Sequence, residues 1–76
     1  MVVAYILVKA RSPEADRILS ELLAIDGVVD GHIVAGDVDF IVKIAVDSAA
    51  EIKPIVTDSI QAITGIESTQ TYMAMA

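Results

Sequence analysis

Apolar residues follow two rhythms along this chain, and the order of those rhythms predicts its architecture. Val2–Lys9 is almost continuously apolar and rich in β-branched and aromatic residues, the signature of a buried strand. Arg11-Ser12-Pro13 reads as a helix entry, with Ser12 as N-cap and Pro13 at the first helical position, where a missing N–H does no harm. Ala15, Ile18, Leu19, Leu22 and Leu23 recur at helical spacing as one apolar face. Asp26-Gly27 ends that helix, because glycine accepts the left-handed conformation common just past a C-terminus. Val28–Ala35 and Phe40–Val46 read as two further strands, joined by a turn centred on Gly36-Asp37. Ser48 and Glu51 match a capping box opening a second helix, whose apolar face is Ile52, Ile55, Val56, Ile60 and Ile63. Pro54 removes an internal hydrogen bond unless it lies in the first turn, so this helix is expected to start late or bend. Thr64-Gly65 closes it, and Ile66–Met75 supplies the last strand.

The two halves are copies of one unit. Val2–Lys9 aligns on Phe40–Asp47, an offset of 38 residues in a chain of 76. At the same offset Leu22-Leu23-Ala24-Ile25-Asp26-Gly27-Val28 aligns on Ile60-Gln61-Ala62-Ile63-Thr64-Gly65-Ile66. Each half is strand, helix, glycine stop, strand. The predicted order β-α-β-β-α-β is an α+β, ferredoxin-like fold of one domain over residues 1–76. Two right-handed βαβ units then give a four-stranded antiparallel sheet with both helices on one face.

That leaves one sheet face bare, and such a face should be polar. Here it is not. Val3, Tyr5 and Leu7 oppose Ala4, Ile6 and Val8 along the first strand, and Ile41 and Ala45 oppose Phe40, Val42, Ile44 and Val46 along the third. Lys43 and the Tyr5 hydroxyl, at repeat-equivalent positions, are the polar exceptions. An apolar sheet face of this extent marks an interface. The expectation is a symmetric dimer through the helix-free faces, built on Val3, Tyr5, Leu7, Ile41, Lys43 and Ala45.

Composition points the same way. The apolar share is 55% without glycine, above the ~45–50% usual when glycine is counted, and a domain this small has little interior for it. There is no cysteine, which excludes disulfides and thiolate metal sites. The net charge is −6 and the five Lys and Arg residues are scattered, which argues against direct nucleic-acid binding and against an anionic membrane surface. The apolar run Met1–Val8 is too short to span a bilayer and has neither basic flanks nor a cleavage site, so the expected location is cytoplasmic.

The densest polar cluster is Gly36-Asp37-Val38-Asp39, which the repeat sets against Ala74-Met75-Ala76 in the second half. As turn chemistry, glycine would supply a positive φ and aspartate would cap the backbone. As a ligand site, Asp39 would offer a carboxylate to an ammonium group while Gly36 lets ligand and backbone approach closely. Spacing alone leaves both open. Thr69 and Thr71 share one face of the last strand and read either as ordinary β propensity or as polar ligand contacts. The aspartates do not have the spacing of a calcium loop, and no metal is expected. His32, the sole histidine, has no Ser, Cys or second His patterned beside it for a triad or a metal pair. Met73 and Met75 read as adaptable apolar surface. No catalytic residue and no cofactor are expected.

With these segments in view, the runs Ala-Ile-Asp-Gly-Val, Val-Ala-Gly-Asp-Val-Asp-Phe-Ile-Val-Lys-Ile and Ala-Ile-Thr-Gly-Ile-Glu-Ser-Thr-Gln-Thr resemble the effector-binding and oligomerisation (RAM) domain of the Lrp/AsnC regulators. The resemblance runs from Val2 to about Tyr72. It implies dimers through the sheets, octamers or other rings, and amino-acid effectors bound between dimers near the hairpin. It makes Gly36, Asp37, Val38 and Asp39 the effector motif, with Thr69 and Thr71 as the closing motif. The helix-turn-helix half of the longer relatives has no counterpart here. The resemblance therefore implies a stand-alone amino-acid-sensing and assembly module that modulates transcription by joining full-length regulators.

Three other readings remain at this point. A dimeric α/β-barrel enzyme of monooxygenase type shares the fold plan and would use a cavity between helices and sheet, with His32 or Tyr5 as acid or base. A purely structural assembly module would bind no ligand. An ACT-like domain would bind amino acids but join its sheets edge to edge.

Overall fold

A computed structural model gives the fold, described here for residues 1–75; Ala76, which the repeat sets opposite Val38, lies outside the described residues. The elements follow in the expected order: β1 (Val2–Ala10), α1 (Ala15–Leu23), β2 (Val28–Ile33), β3 (Phe40–Val46), a second helical segment over Ala49–Ile60, and β4 (Ile66–Met73). The strands form one antiparallel sheet in the order β2-β3-β1-β4, the ferredoxin-like arrangement.

The core lies between this sheet and the helices. Ala4, Ile6 and Val8 of β1 and Phe40, Val42 and Ile44 of β3 point into it, meeting Ile18 and Leu22 of α1 and Ile52, Val56 and Ile60 of the second segment. Leu23 differs from its expected place: it is 46% exposed at the edge of the α1 stripe.

Several boundaries shift from the sequence reading, each for a local reason. α1 begins at Ala15 rather than at Pro13, with Glu14 as a cap residue that makes no side-chain cap bond. Ser12 does not cap α1; its hydroxyl accepts from the Glu14 N–H at 3.2 Å and closes a turn before the helix. β2 stops at Ile33 and β4 at Met73, each two residues short of expectation. The capping box of Ser48 and Glu51 is formed, opening a 3₁₀ turn over Ala49–Glu51. Pro54 then sits at the end of a single α turn (Ile52–Pro54), and the chain widens at once into a π segment, Ile55–Ile60. A proline ring crowds the carbonyl four residues back, which suits a break in regular α winding at this point.

The two glycine stops behave alike. Gly27 and Gly65 have φ of 96° and 103°, a region that side chains with a Cβ rarely enter. A Cβ on Gly65 would also lie 2.9 Å from the Ser12 Cβ. Gly65→Ala is therefore expected to lower stability by about 1–3 kcal/mol, read as a lower urea midpoint. Gly36 is different. It is not among the positive-φ glycines, contrary to the turn reading, and an added Cβ there would meet nothing within 4 Å. Gly36→Ala should change stability by less than about 0.5 kcal/mol in the same titration.

Both outer strands carry a register break at repeat-equivalent positions. On β2, Val28 pairs with Ile44 and Asp30 with Lys43, leaving Val29 extra; on β4, Ile66 pairs with Ala10 and Ser68 with Lys9, leaving Glu67 extra. Each extra residue flips the strand's alternation. As a result Gly31 and Thr69, not their neighbours, lie on the helix side of the sheet.

Candidate functional site

Six residues expected at the dimer face lie together on the helix-free side. They form three cross-strand rows, Val3 opposite Ala45, Tyr5 opposite Lys43 and Leu7 opposite Ile41. Polar residues flank them: Asp30 and His32 on β2, Ser68, Gln70 and Tyr72 on β4. His32 stands 3.2 Å from the Asp30 carboxylate beside Tyr5, Ile41 and Lys43 in a shallow depression of about 240 Å³. His32 and Tyr5 thus face away from the helices. The space that a barrel-type enzyme would use is filled by Phe40, Ile6, Ile44 and Ile18, all fully buried.

The hairpin between β2 and β3 is held by Asp39. Its backbone N–H donates to the Val8 carbonyl at 2.9 Å and its carbonyl accepts from the Val34 N–H at 2.8 Å. Its carboxylate Oδ2 accepts from the Ala10 N–H at 2.8 Å. β3 begins at Phe40, opposite Val8, so the Ala10 N–H lies past the end of the β1–β3 ladder and this side chain satisfies it. Asp39 is the half-buried pin of the hairpin, and the carboxylate left standing in solvent is Asp37.

The pinned hairpin borders a cavity of about 520 Å³ at one end of the bare face. It is lined by Asp37 and Val38 of the hairpin, Leu7 and Lys9 of β1, and Ser68, Thr69 and Gln70 of β4. Three of the expected site residues, Asp37, Val38 and Thr69, are thereby brought together. Gly36 and Asp39 belong to the same hairpin but do not line the cavity, and Thr71 does not reach it. Sequence reasoning missed Lys9. Its signal was present: a cation ends an apolar strand, and the equivalent position in the other half is Asp47. With Lys9 and Asp37 the cavity offers one positive and one negative side chain, together with apolar Leu7 and Val38.

Thr71 lines a separate groove of about 470 Å³ between the second helical segment and β4, with Ile52, Val56 and Met73 among its walls. Thr69 lines both, and its hydroxyl oxygen accepts from the Gln61 amide at 2.9 Å. On the opposite helix, Arg17 pairs with Glu14 and Glu21 and donates to the Thr64 carbonyl at 3.0 Å, tying α1 to the second glycine stop. The bond to Glu21 holds this guanidinium even further above its usual range.

Comparison with known proteins places this geometry. The chain resembles a Thermus thermophilus protein, TTHA0845, at 22% identity and TM-score 0.93, over 100% of this chain and 95% of that one. It resembles the Pyrococcus horikoshii hypothetical protein PHS023 at 29% identity and TM-score 0.89, over 100% and 92% respectively. It matches E. coli AsnC at 22% identity and TM-score 0.90, covering 99% of this chain but only 51% of AsnC. Against AsnC it therefore spans about half the length. A search of curated proteins by sequence returns no match. The family model described as the Lrp/AsnC ligand binding domain matches residues 3–76, from the first strand to the last residue, and the chain belongs to that family.

Proposed function

We propose that this protein senses a free amino acid and converts its presence into a change of assembly. The observation that carries this reading is the hairpin cavity, whose lining combines Lys9 and Asp37 with apolar Leu7 and Val38. A zwitterion needs a cation for its carboxylate and an anion for its ammonium, and a modest apolar side chain needs an apolar floor. Asp39 serves as the positioning residue, since it fixes the hairpin that presents Asp37.

Membership of a family of ligand-binding regulatory domains supports the reading. So does the place of the cavity, at the end of the apolar face on which a second copy would pack. A ligand at such a boundary shifts the oligomer population by its differential affinity for the two assemblies. The proposed unit is a dimer through the bare faces, extended to a ring, with full-length regulators of the same family as partners in mixed assembly. Its acidic charge fits an action on transcription through such partners rather than through contacts with DNA.

Isothermal titration against a panel of amino acids tests the proposal. At least one should bind, and Asp37→Asn should weaken it about tenfold or more, the worth of one charge-assisted hydrogen bond. Asp39→Ala should weaken it too, by loosening the hairpin. No heat from any amino acid, or full affinity in both variants, would overturn the reading.

A further inference from the structure

The groove between the second helical segment and β4 has a counterpart in the other half of the repeat, and there it is closed. In the first half α1 lies over β2, and Leu19 and Leu23 cover Gly31; a Cβ on that glycine would sit 3.5 Å from Leu19 Cδ1 and 3.2 Å from Leu23 Cδ2. At the offset of 38 residues these three positions are Thr57, Gln61 and Thr69. Two leucines and the glycine they cover have been exchanged for polar residues, and the space stands open at about 470 Å³. Nothing in the shared fold requires that exchange, because the first half shows how the same unit closes.

The lining has a definite chemistry. Ile52 and Val56 are buried and, with Met73, give an apolar wall. The polar groups are mostly donors. The Thr69 oxygen already accepts from Gln61, leaving its own proton to donate, and the Thr71 hydroxyl is exposed beside it. Thr57 is exposed, its hydroxyl donating to the Lys53 carbonyl at 2.9 Å and standing 3.3 Å from the Asp58 carboxylate. Lys53 brings a positive charge to the groove and makes no ion pair among the described residues. Among the described residues no carboxylate lines the groove, and the amide acceptor is neutral Gln61.

We infer that this groove is a second ligand site, separate from the hairpin cavity, and that it takes a short aliphatic monocarboxylate. The carboxylate meets Lys53 and the Thr69 and Thr71 hydroxyls, and the hydrocarbon lies on Ile52, Val56 and Met73. A free amino acid fits poorly, because its ammonium would lose water without gaining an anion. The hairpin cavity holds both charges and the groove holds one, so the two sites separate an amino acid from the carboxylate that lacks its amino group.

Methyl NMR on the labelled full chain, with isocaproate and leucine as probes, tests this. Isocaproate should move the Ile52 and Val56 methyls, and leucine should leave them in place. Lys53→Gln should weaken the isocaproate response about tenfold, matching one charge-assisted hydrogen bond. Thr57→Leu/Gln61→Leu, which installs the covering side chains of the first half, should abolish it. If the double variant fails to fold, Lys53→Gln decides alone. Unmoved Ile52 and Val56 methyls in the wild type, an undiminished response in Lys53→Gln, or equal shifts with leucine would each overturn the inference. The amino-acid reading is scored separately, on the Leu7 and Val38 methyls of the hairpin cavity.

Discussion

Phe40→Ala is expected to remove about 3–5 kcal/mol of stability, enough to unfold a large share of the protein at room temperature. Phe40 is the only phenylalanine and is fully buried. It opens β3, opposite Val8 on one side and Ile33 on the other, so its ring closes the core at the root of the hairpin. Truncation loses the transfer energy of the ring and leaves a cavity that three paired strands cannot easily collapse. A chain of this length has about 4–11 kcal/mol in total, at about 0.05–0.15 kcal/mol per residue. The loss is therefore comparable to the whole. Urea titration followed by far-UV circular dichroism checks it, run at several protein concentrations because association adds to apparent stability. Phe40→Leu, which keeps most of the volume, should lose less than half as much. A loss below about 1 kcal/mol for Phe40→Ala would mean that the core repacks around the gap.

The consequence reaches the proposed ligand site. Phe40 follows Asp39, the residue that pins the hairpin to Val8 and Ala10. A loosened Phe40 frees that pin, and Asp37 loses its fixed place in the lining of the cavity. Stability and binding should fall together in Phe40→Ala, whereas Asp37→Asn should weaken binding alone.

Much of this architecture was legible because each half repeats the same local instructions. The continuous apolar run of β1, the capping box of Ser48 and Glu51 and the stops at Gly27 and Gly65 act over a few residues and need no partner. Reading the bare face was possible for a related reason: Val3, Tyr5 and Leu7 are apolar where alternation calls for polar residues, and alternation is a local property. What escaped the sequence depends on pairing. Thr69 and Thr71 visibly share a face, but the face is decided by the extra residue Glu67, which appears only when β4 is laid against β1. The division between Asp37 and Asp39 was hidden likewise. Both are aspartates of one turn, and only the unpaired N–H of Ala10, distant in sequence, turns one of them inward. Lys9 was overlooked because a strand-end lysine is ordinary until the hairpin folds across it.

Ile41→Asp is expected to convert the protein to monomers while leaving its fold intact. Ile41 lies on a central strand of the bare face, in the row nearest the hairpin and between Leu7 and His32 in the sheet, and its side chain points away from the core. In the separate chain an aspartate there meets water, so the cost to folding is small. In a dimer through these faces the two-fold axis brings a carboxylate from each copy into one apolar layer. Each would be buried without a cation of its own apart from Lys43 on the neighbouring row, at a cost of several kcal/mol per site. A dimer held at micromolar affinity has about 8 kcal/mol in all, so the pair of carboxylates removes most of it. Light scattering across a concentration series reads the mass, and circular dichroism confirms that the sheet remains. Thr57→Asp, a charge of the same kind on the helix side, should leave the mass unchanged. A dimer that persists in Ile41→Asp would move the interface elsewhere, to the edge strands β2 and β4, and would free the apolar face for a different partner.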